Sequence, residues 1–199
     1  MRGMRRSAFS SGVVALLLLC AVLLGYATDM VLTRIEHYYY PMTFSETVTA
    51  CADEYDLDPH TVYAMIKVLS NFTSNRVSED GKIGLMQLSE ETFLWLTNEK
   101  LKENLDAGLL YEPSTNIRYG CYYLLYLTTR YDTWDAVFAA YLCGVDVVDP
   151  WYEEWRFLSE DGISEFTIPN ADVRKDVNKI QRIVDKYQEL YKQKGDQTS

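Results

Sequence analysis

Chemistry in this 199-residue chain would have to come from a short inventory of side chains. Glu79 and Asp80 lead into the segment IGLMQL, Ile83 to Leu88, and Glu90 and Glu91 follow it. A carboxyl group there could work as a general acid or base if desolvation raised its pKa. Each pair also has a plainer reading, and the plainer one is preferred. Glu79-Asp80-Gly81 is ordinary solvated turn chemistry. Glu90 and Glu91 follow Ser89 where a helix would begin, and carboxylates in a first turn complement the helix dipole. Cys143 could act as a nucleophile only beside a base. The chain has two histidines, His37 near the N-terminal apolar run and His60 in a helix's first turn, so a Cys–His pair is disfavoured. Cys51, Cys121 and Cys143 match no zinc spacing, and no metal or other cofactor is implied.

The elements that must position these groups read as helices. Phe44 to Tyr55 is one amphipathic segment. Asp58 is a good N-cap with Pro59 at the first helical position. In the helix they open, Val62, Met65, Ile66, Leu69 and Phe72 recur at i, i+3, i+4, i+7 spacing. Ser89 caps a third helix, Pro113-Ser114 precedes a fourth, and Thr133 or Asp132 caps a fifth, WDAVFAAYL. A last helix runs from about Ala171 to Gln193. Residues 145–168 read as irregular and rich in tryptophan, with Trp151 and Trp155 as stacking platforms or, more simply, as loop anchors. Nothing alternates long enough to build a large sheet. If Cys121 and Cys143 lie on a helical hairpin turning near Asp132, each is 11 residues from the turn and the two could pair. The equal alternative leaves all three exported cysteines as small buried residues.

The first residues differ from the rest. Arg2, Arg5 and Arg6 precede an uncharged run from Ser7 to Thr28. Its 22 residues are enough to cross about 30 Å of hydrocarbon as a helix. That is longer than the apolar core of a secretory signal, although Gly25-Tyr26-Ala27 would tolerate cleavage. The arginines hold the N-terminus inside and send the remainder out. The expected plan is a cytoplasmic stub (1–6), a transmembrane anchor (7–28), a juxtamembrane segment (29–39), one domain (40–191) and a polar tail (192–199). From Asp29 onward 29 acidic residues face 16 basic ones, a charge near −13. Such a domain repels nucleic acid and anionic membrane surfaces.

Several segments recur in one known arrangement: Tyr40-Pro41, YDLDPHTVYAMIKVLSNF, VSEDGKIGLMQLSEET, NIRYGCYYLLYL, AVFAAYLCG and IPNADVR. In order and spacing they resemble the membrane-anchored lytic transglycosylases of bacteria, in the soluble-lytic-transglycosylase and goose-lysozyme-like family. The resemblance spans about Tyr40 to Tyr191. It implies a mainly α, lysozyme-like domain after an N-terminal transmembrane helix, in the bacterial cell membrane as a single-pass protein with its C-terminal domain outside. It further implies a groove for peptidoglycan glycan strands, with Ser70, Gly84, Met86, Gln87 and Tyr141 at substrate-binding positions. Met86 and Tyr141 could equally be core residues. Gln87 is harder to explain by packing, because a buried amide needs partners.

The resemblance fails where the chemistry should be. Enzymes of this family use one glutamic acid, directly before the serine of an E-S-N-F motif, to protonate the leaving oxygen and then to form a 1,6-anhydro sugar. Here the motif is Leu69-Ser70-Asn71-Phe72. An alkyl side chain has no proton to deliver to an alkoxide leaving group. The family's Y-N-A-G is Tyr141-Leu142-Cys143-Gly144, and the tyrosine that closes the cleft near the C-terminus is Asp176. The expectation is an inactive transglycosylase-like protein that binds glycan strands or an envelope protein. The alternatives are an active enzyme with a relocated acid and a helical interaction module whose cleft has closed around Leu69 and Leu142.

Overall fold

The computed structural model describes residues 5–158 and 166–192, and the chain divides into two units after Pro41. The first unit is a single helix, α1 (Arg5–Tyr39). Its stretch Gly12–Tyr39 is long and apolar enough to cross a membrane. At 1.5 Å per residue those 28 residues extend about 42 Å, beyond the roughly 30 Å of a hydrocarbon core. Residues 29–39 continue the helix. The tail beyond Lys192 lies outside the described residues.

The second unit is helical, with no β-strand among the described residues. In α2 (Ser45–Glu54) the buried positions Val48, Cys51 and Ala52 form one stripe. Asp58 caps α3 (Pro59–Leu69) by accepting the His60 N–H at 2.9 Å. Val62 through Ile66 are all buried, so α3 is covered on every side. Both α2 and α8 (Ala171–Lys192) pack on it, and Tyr63 stacks on Tyr187 at 5.5 Å. Burying side chains of this size is worth roughly 1.5–3 kcal/mol each, which makes α3 the fixed axis of the unit.

Ser89 caps α4 (Glu90–Trp95) by accepting the Thr92 N–H, and one π turn (Leu96–Lys100) and one 3₁₀ turn (Ala107–Tyr111) lead to α5 (Pro113–Thr128). Thr133 caps α6 (Trp134–Cys143), which folds back on α5 as a hairpin. Residues 145–158 correct the sequence reading of 145–168 as irregular, and residues 159–165 lie outside the described residues. Val145–Leu158 is a helix, α7, packed on α6. Val148 and Tyr152 are buried, with Trp151 and Trp155 half-buried beside them, an i, i+3, i+4, i+7 stripe. That apolar stripe outweighs Pro150 inside the helix. Trp155 meets Tyr152 at 5.2 Å and Phe166 at 5.7 Å, and this aromatic cluster ties Phe166 to α7.

Candidate active site

The segment after α3 reverses through two residues of positive φ, Asn71 (49°) and Phe72 (62°). Asparagine tolerates that conformation and phenylalanine resists it, so the turn must be held from outside. Ser70 does part of this. It is fully buried, its N–H reaches Ile66 O, and its hydroxyl donates to the same carbonyl at 3.0 Å. Lys67 Nζ donates to Asn71 Oδ1 at 2.6 Å. Leu69, the last residue of α3, is half-buried.

The facing segment, residues 83–88, is fixed mainly by side chains. Two isolated bridges, Val77 with Ile83 and Ile83 with Leu88, close its base. At its centre Asn116 of α5 uses its whole amide. Nδ2 donates to Ile83 O and Leu110 O, both at 2.9 Å, and Oδ1 accepts the Met86 N–H at 2.7 Å. Gly84, at φ 83°, passes so close that a Cβ would stand 2.2 Å from Asn116 Nδ2. Met86 is fully buried, its side chain lies over Gly120, and its carbonyl accepts the Tyr141 hydroxyl at 2.9 Å. Burial holds the Tyr141 phenol well above its ordinary pKa, so it stays a donor. Gln87, itself at positive φ, donates Nε2 to Gly84 O at 2.8 Å and Arg76 O at 3.1 Å.

The five substrate-binding candidates therefore sit in one frame, and the hydrogen bonds described for Ser70, Gln87 and Tyr141 are internal. Gln87 and Tyr141 also line a cavity of about 350 Å³, together with Asp80, Lys82, Leu142 and Cys143. Leu142 is half-buried, and Lys82 Nζ donates to its carbonyl at 2.7 Å. Along α4 a second cavity of about 570 Å³ adjoins the first through Glu91 and Tyr123 and is walled by Trp95 and Tyr126. Lys100 lies over both of those rings, 4.8 Å and 5.2 Å from their centroids. Leu69 and Asp176 are not among the described residues lining either cavity, and Asp176 is exposed on α8.

Charge states narrow what these groups can do. The Ser78 hydroxyl at 2.5 Å and Lys82 at 3.4 Å hold the Asp80 carboxyl below its usual range, which keeps it ionised and unsuited to donate a proton. Burial raises the Cys143 thiol against a smaller opposing pull from Lys82, and the thiol donates to Ala139 O at 3.1 Å. His60 is engaged by Asp58 at 2.7 Å. Glu79, Glu90 and Glu91 are exposed, the latter two in the first turn of α4.

The pairing of Cys121 with Cys143 is not formed. Cys51, Cys121 and Cys143 are all free, and Cys121 lies on α5, which packs against α2. The hairpin does bring Cys121 and Cys143 to one level, but level along a hairpin does not fix which way each side chain points around its own helix. Sequence reasoning also missed Asn116, Gly120, Lys82 and Trp95. NIRYG signalled the asparagine, yet its partners lie 6 to 33 residues away in the chain.

The profile of the Transglycosylase SLT domain matches residues 46–162. Among solved structures, an inactive glutamate-to-glutamine mutant of the lytic transglycosylase Slt from Pseudomonas aeruginosa is similar at 24% identity and a TM-score of 0.63, over 76% of this chain and 25% of that one. The 70 kDa soluble lytic transglycosylase of Escherichia coli is similar at 20% identity and a TM-score of 0.69, over 78% of this chain and 25% of its own. A complex of the 70 kDa soluble lytic transglycosylase with bulgecin A gives 20% identity, a TM-score of 0.68 and the same coverage. The chain thus spans about a quarter of the length of these structures. No curated protein sequence matches it.

Proposed function

Because the chain belongs to the Transglycosylase SLT domain family, we propose that it is a membrane-anchored, extracytoplasmic member that grips peptidoglycan glycan strands without cutting them. Leu69 carries this reading. It ends α3 where the family motif places the acid, and it is half-buried there. Asp80, a carboxyl that lines the cavity beside Gln87 and Tyr141, is kept ionised by Ser78 and Lys82. General acid–base help is worth about 10²–10⁴-fold, and in a one-carboxyl mechanism both half-steps need it. The glutamate-to-glutamine mutant of the Pseudomonas aeruginosa relative is itself described as inactive.

Two observations favour binding over a closed interaction module. Leu69 and Leu142 are each only half-buried, and Gln87 and Tyr141 line a cavity of about 350 Å³. The adjoining aromatic wall of Trp95, Tyr123 and Tyr126 offers flat faces suited to sugar rings. The reading assigns α1 as the anchor, with the acidic domain outside.

The test is digestion of purified peptidoglycan by the full chain in mild detergent, scored by mass spectrometry for 1,6-anhydro fragments, beside co-sedimentation with the same material. The expected result is co-sedimentation without anhydro products, and measurable anhydro products from Leu69→Glu. Anhydro products from the unaltered chain would overturn the inactive reading and direct attention to Glu79, Asp80 and Glu91. A folded chain that fails to co-sediment would overturn glycan binding in favour of an envelope protein partner.

A further inference from the structure

The first observation is a pair of thiols. Cys51 lies on the buried stripe of α2 and Cys121 on the face of α5 that packs against α2. Both are shielded from water, Cys121 completely and Cys51 at 6% exposure. Each thiol shifts the pKa of the other, so the two are neighbours across the contact of α2 with α5. A second contact fixes the approach of the helices at this level, the rings of Tyr55 and Tyr122 at 5.6 Å. Cys143, by contrast, points its thiol at Ala139 O on its own helix.

We propose that Cys51 and Cys121 are oxidised to a disulfide that staples α2 to α5. The proposal rests on the export of this domain, because disulfides persist in oxidising compartments and are rare in the cytosol. The segment it would close runs from α3 through α4 into α5 and carries both Leu69–Phe72 and Ile83–Leu88. The staple therefore ties off the part of the chain that forms the cleft.

The chemistry balances as thiol–disulfide exchange with an oxidising disulfide, either a small molecule such as glutathione disulfide or a dithiol oxidase. The Cys51 thiolate attacks one sulfur of that reagent, forming a mixed disulfide and expelling one thiolate. The Cys121 thiolate then attacks the Cys51 sulfur and expels the second. Two electrons pass to the reagent, which leaves as two thiols. Cys51 is suited to be first. It keeps 6% exposure where Cys121 has none, so a reagent reaches it first. Closure of a long loop restricts the unfolded chain more than the folded one.

The full chain expressed in bacterial cells is quenched in acid, its free thiols are blocked with N-ethylmaleimide, and peptides are read by mass. The expected result is a Cys51–Cys121 linked peptide, about 2 Da lighter than its reduced parts because two hydrogens have left, with Cys20 and Cys143 alkylated. Alkylation of all four cysteines, or a Cys121–Cys143 link, overturns the proposal. A membrane-impermeant maleimide on the half-exposed Cys143 reports separately whether the domain is outside, so a failure of export is told from a failure of pairing. In detergent, the purified chain equilibrated with oxidised glutathione is expected to close the same pair. Reduction is then expected to lower Tm by roughly 5–10 °C, a shift absent from Cys51→Ser. An intact chain that stays open in that buffer overturns the proposal as well.

Discussion

The segment around Met86 and the ends of α3 and α6 are built on different terms. Around Met86 the described polar groups are paired: Asn116 spends its whole amide, Tyr141 closes the Met86 carbonyl, and Gln87 ties two turns together. At the ends of α3 and α6, by contrast, stand two half-buried leucines, Leu69 and Leu142, each with a charged or polar neighbour close in sequence. The difference teaches what a fold requires. A buried network must be complete, because each orphaned group costs about 1–3 kcal/mol. A reactive carboxyl is needed only for a reaction, and its loss leaves nothing unpaired. The frame is therefore brittle to substitution and the chemistry is not.

The largest effect tests the brittle side. Asn116→Ala removes three hydrogen bonds and leaves the Met86 N–H and two carbonyls buried without partners, so it should destabilise by about 3–5 kcal/mol. Denaturant unfolding of the detergent-solubilised chain measures it. A loss under about 1 kcal/mol would mean that water replaces the amide and that the segment is not clamped. Gly84→Ala should fall in the same range for a different reason, since its Cβ would meet Asn116 Nδ2 at 2.2 Å on a backbone at φ 83°. Tyr141→Phe comes next, at about 1–2 kcal/mol, because it leaves only the Met86 carbonyl unpaired.

These contacts mark where sequence legibility stops. The caps of α3, α4 and α6 could be read because a cap is local: Asp58, Ser89 and Thr133 each bond two or three residues ahead. The lysozyme-like helical fold came from motif order and spacing, and the SLT profile and the structural neighbours share it. Helix α7 was missed because Val148, Trp151, Tyr152 and Trp155 form a stripe that must be counted over two turns, in a segment that also carries Pro150. Asn116 was visible as a letter and not as a role. Its partners come from two segments, 83–86 and the turn at Leu110, that only the folded chain brings together. The cysteines make the same point, since the hairpin was foreseen but the rotation of Cys121 toward α2 was not.

A smaller effect is expected on the permissive side. Leu69→Glu replaces a half-buried alkyl group at the last residue of α3, so the loss should stay near 1 kcal/mol. Leu142→Asn should behave alike. Circular dichroism melts of the two variants against Asn116→Ala would set the contrast directly. A loss above about 3 kcal/mol in Leu69→Glu would show that the leucine is a core residue, and the distinction between frame and chemistry would fail there.

The smallest effect separates burial from bonding. Asp149 on α7 accepts from Arg130 Nε at 3.0 Å and from the Tyr131 hydroxyl at 2.7 Å, so it is bonded nearly as fully as Asn116, but it is half-exposed. Arg130, and after it the Tyr131 hydroxyl, hold its carboxyl below the ordinary 3.8 despite some opposing desolvation. A depressed folded pKa means that the unfolded chain binds the proton first as pH falls. The stabilisation is thus present above about 3.8 and is lost as pH drops through the folded value. Solvent screening limits it, so Asp149→Asn should cost no more than about 1 kcal/mol at pH 7. The gap between the melting curves of Asp149→Asn and the unaltered chain should narrow below about pH 4 and shrink with salt. A gap that instead stays constant down to pH 2 would mean that Asp149 acts through the shape of its hydrogen bonds and not its charge. The cluster joining α5, α6 and α7 would then belong with the frame around Met86, bonded for geometry at whatever exposure it sits.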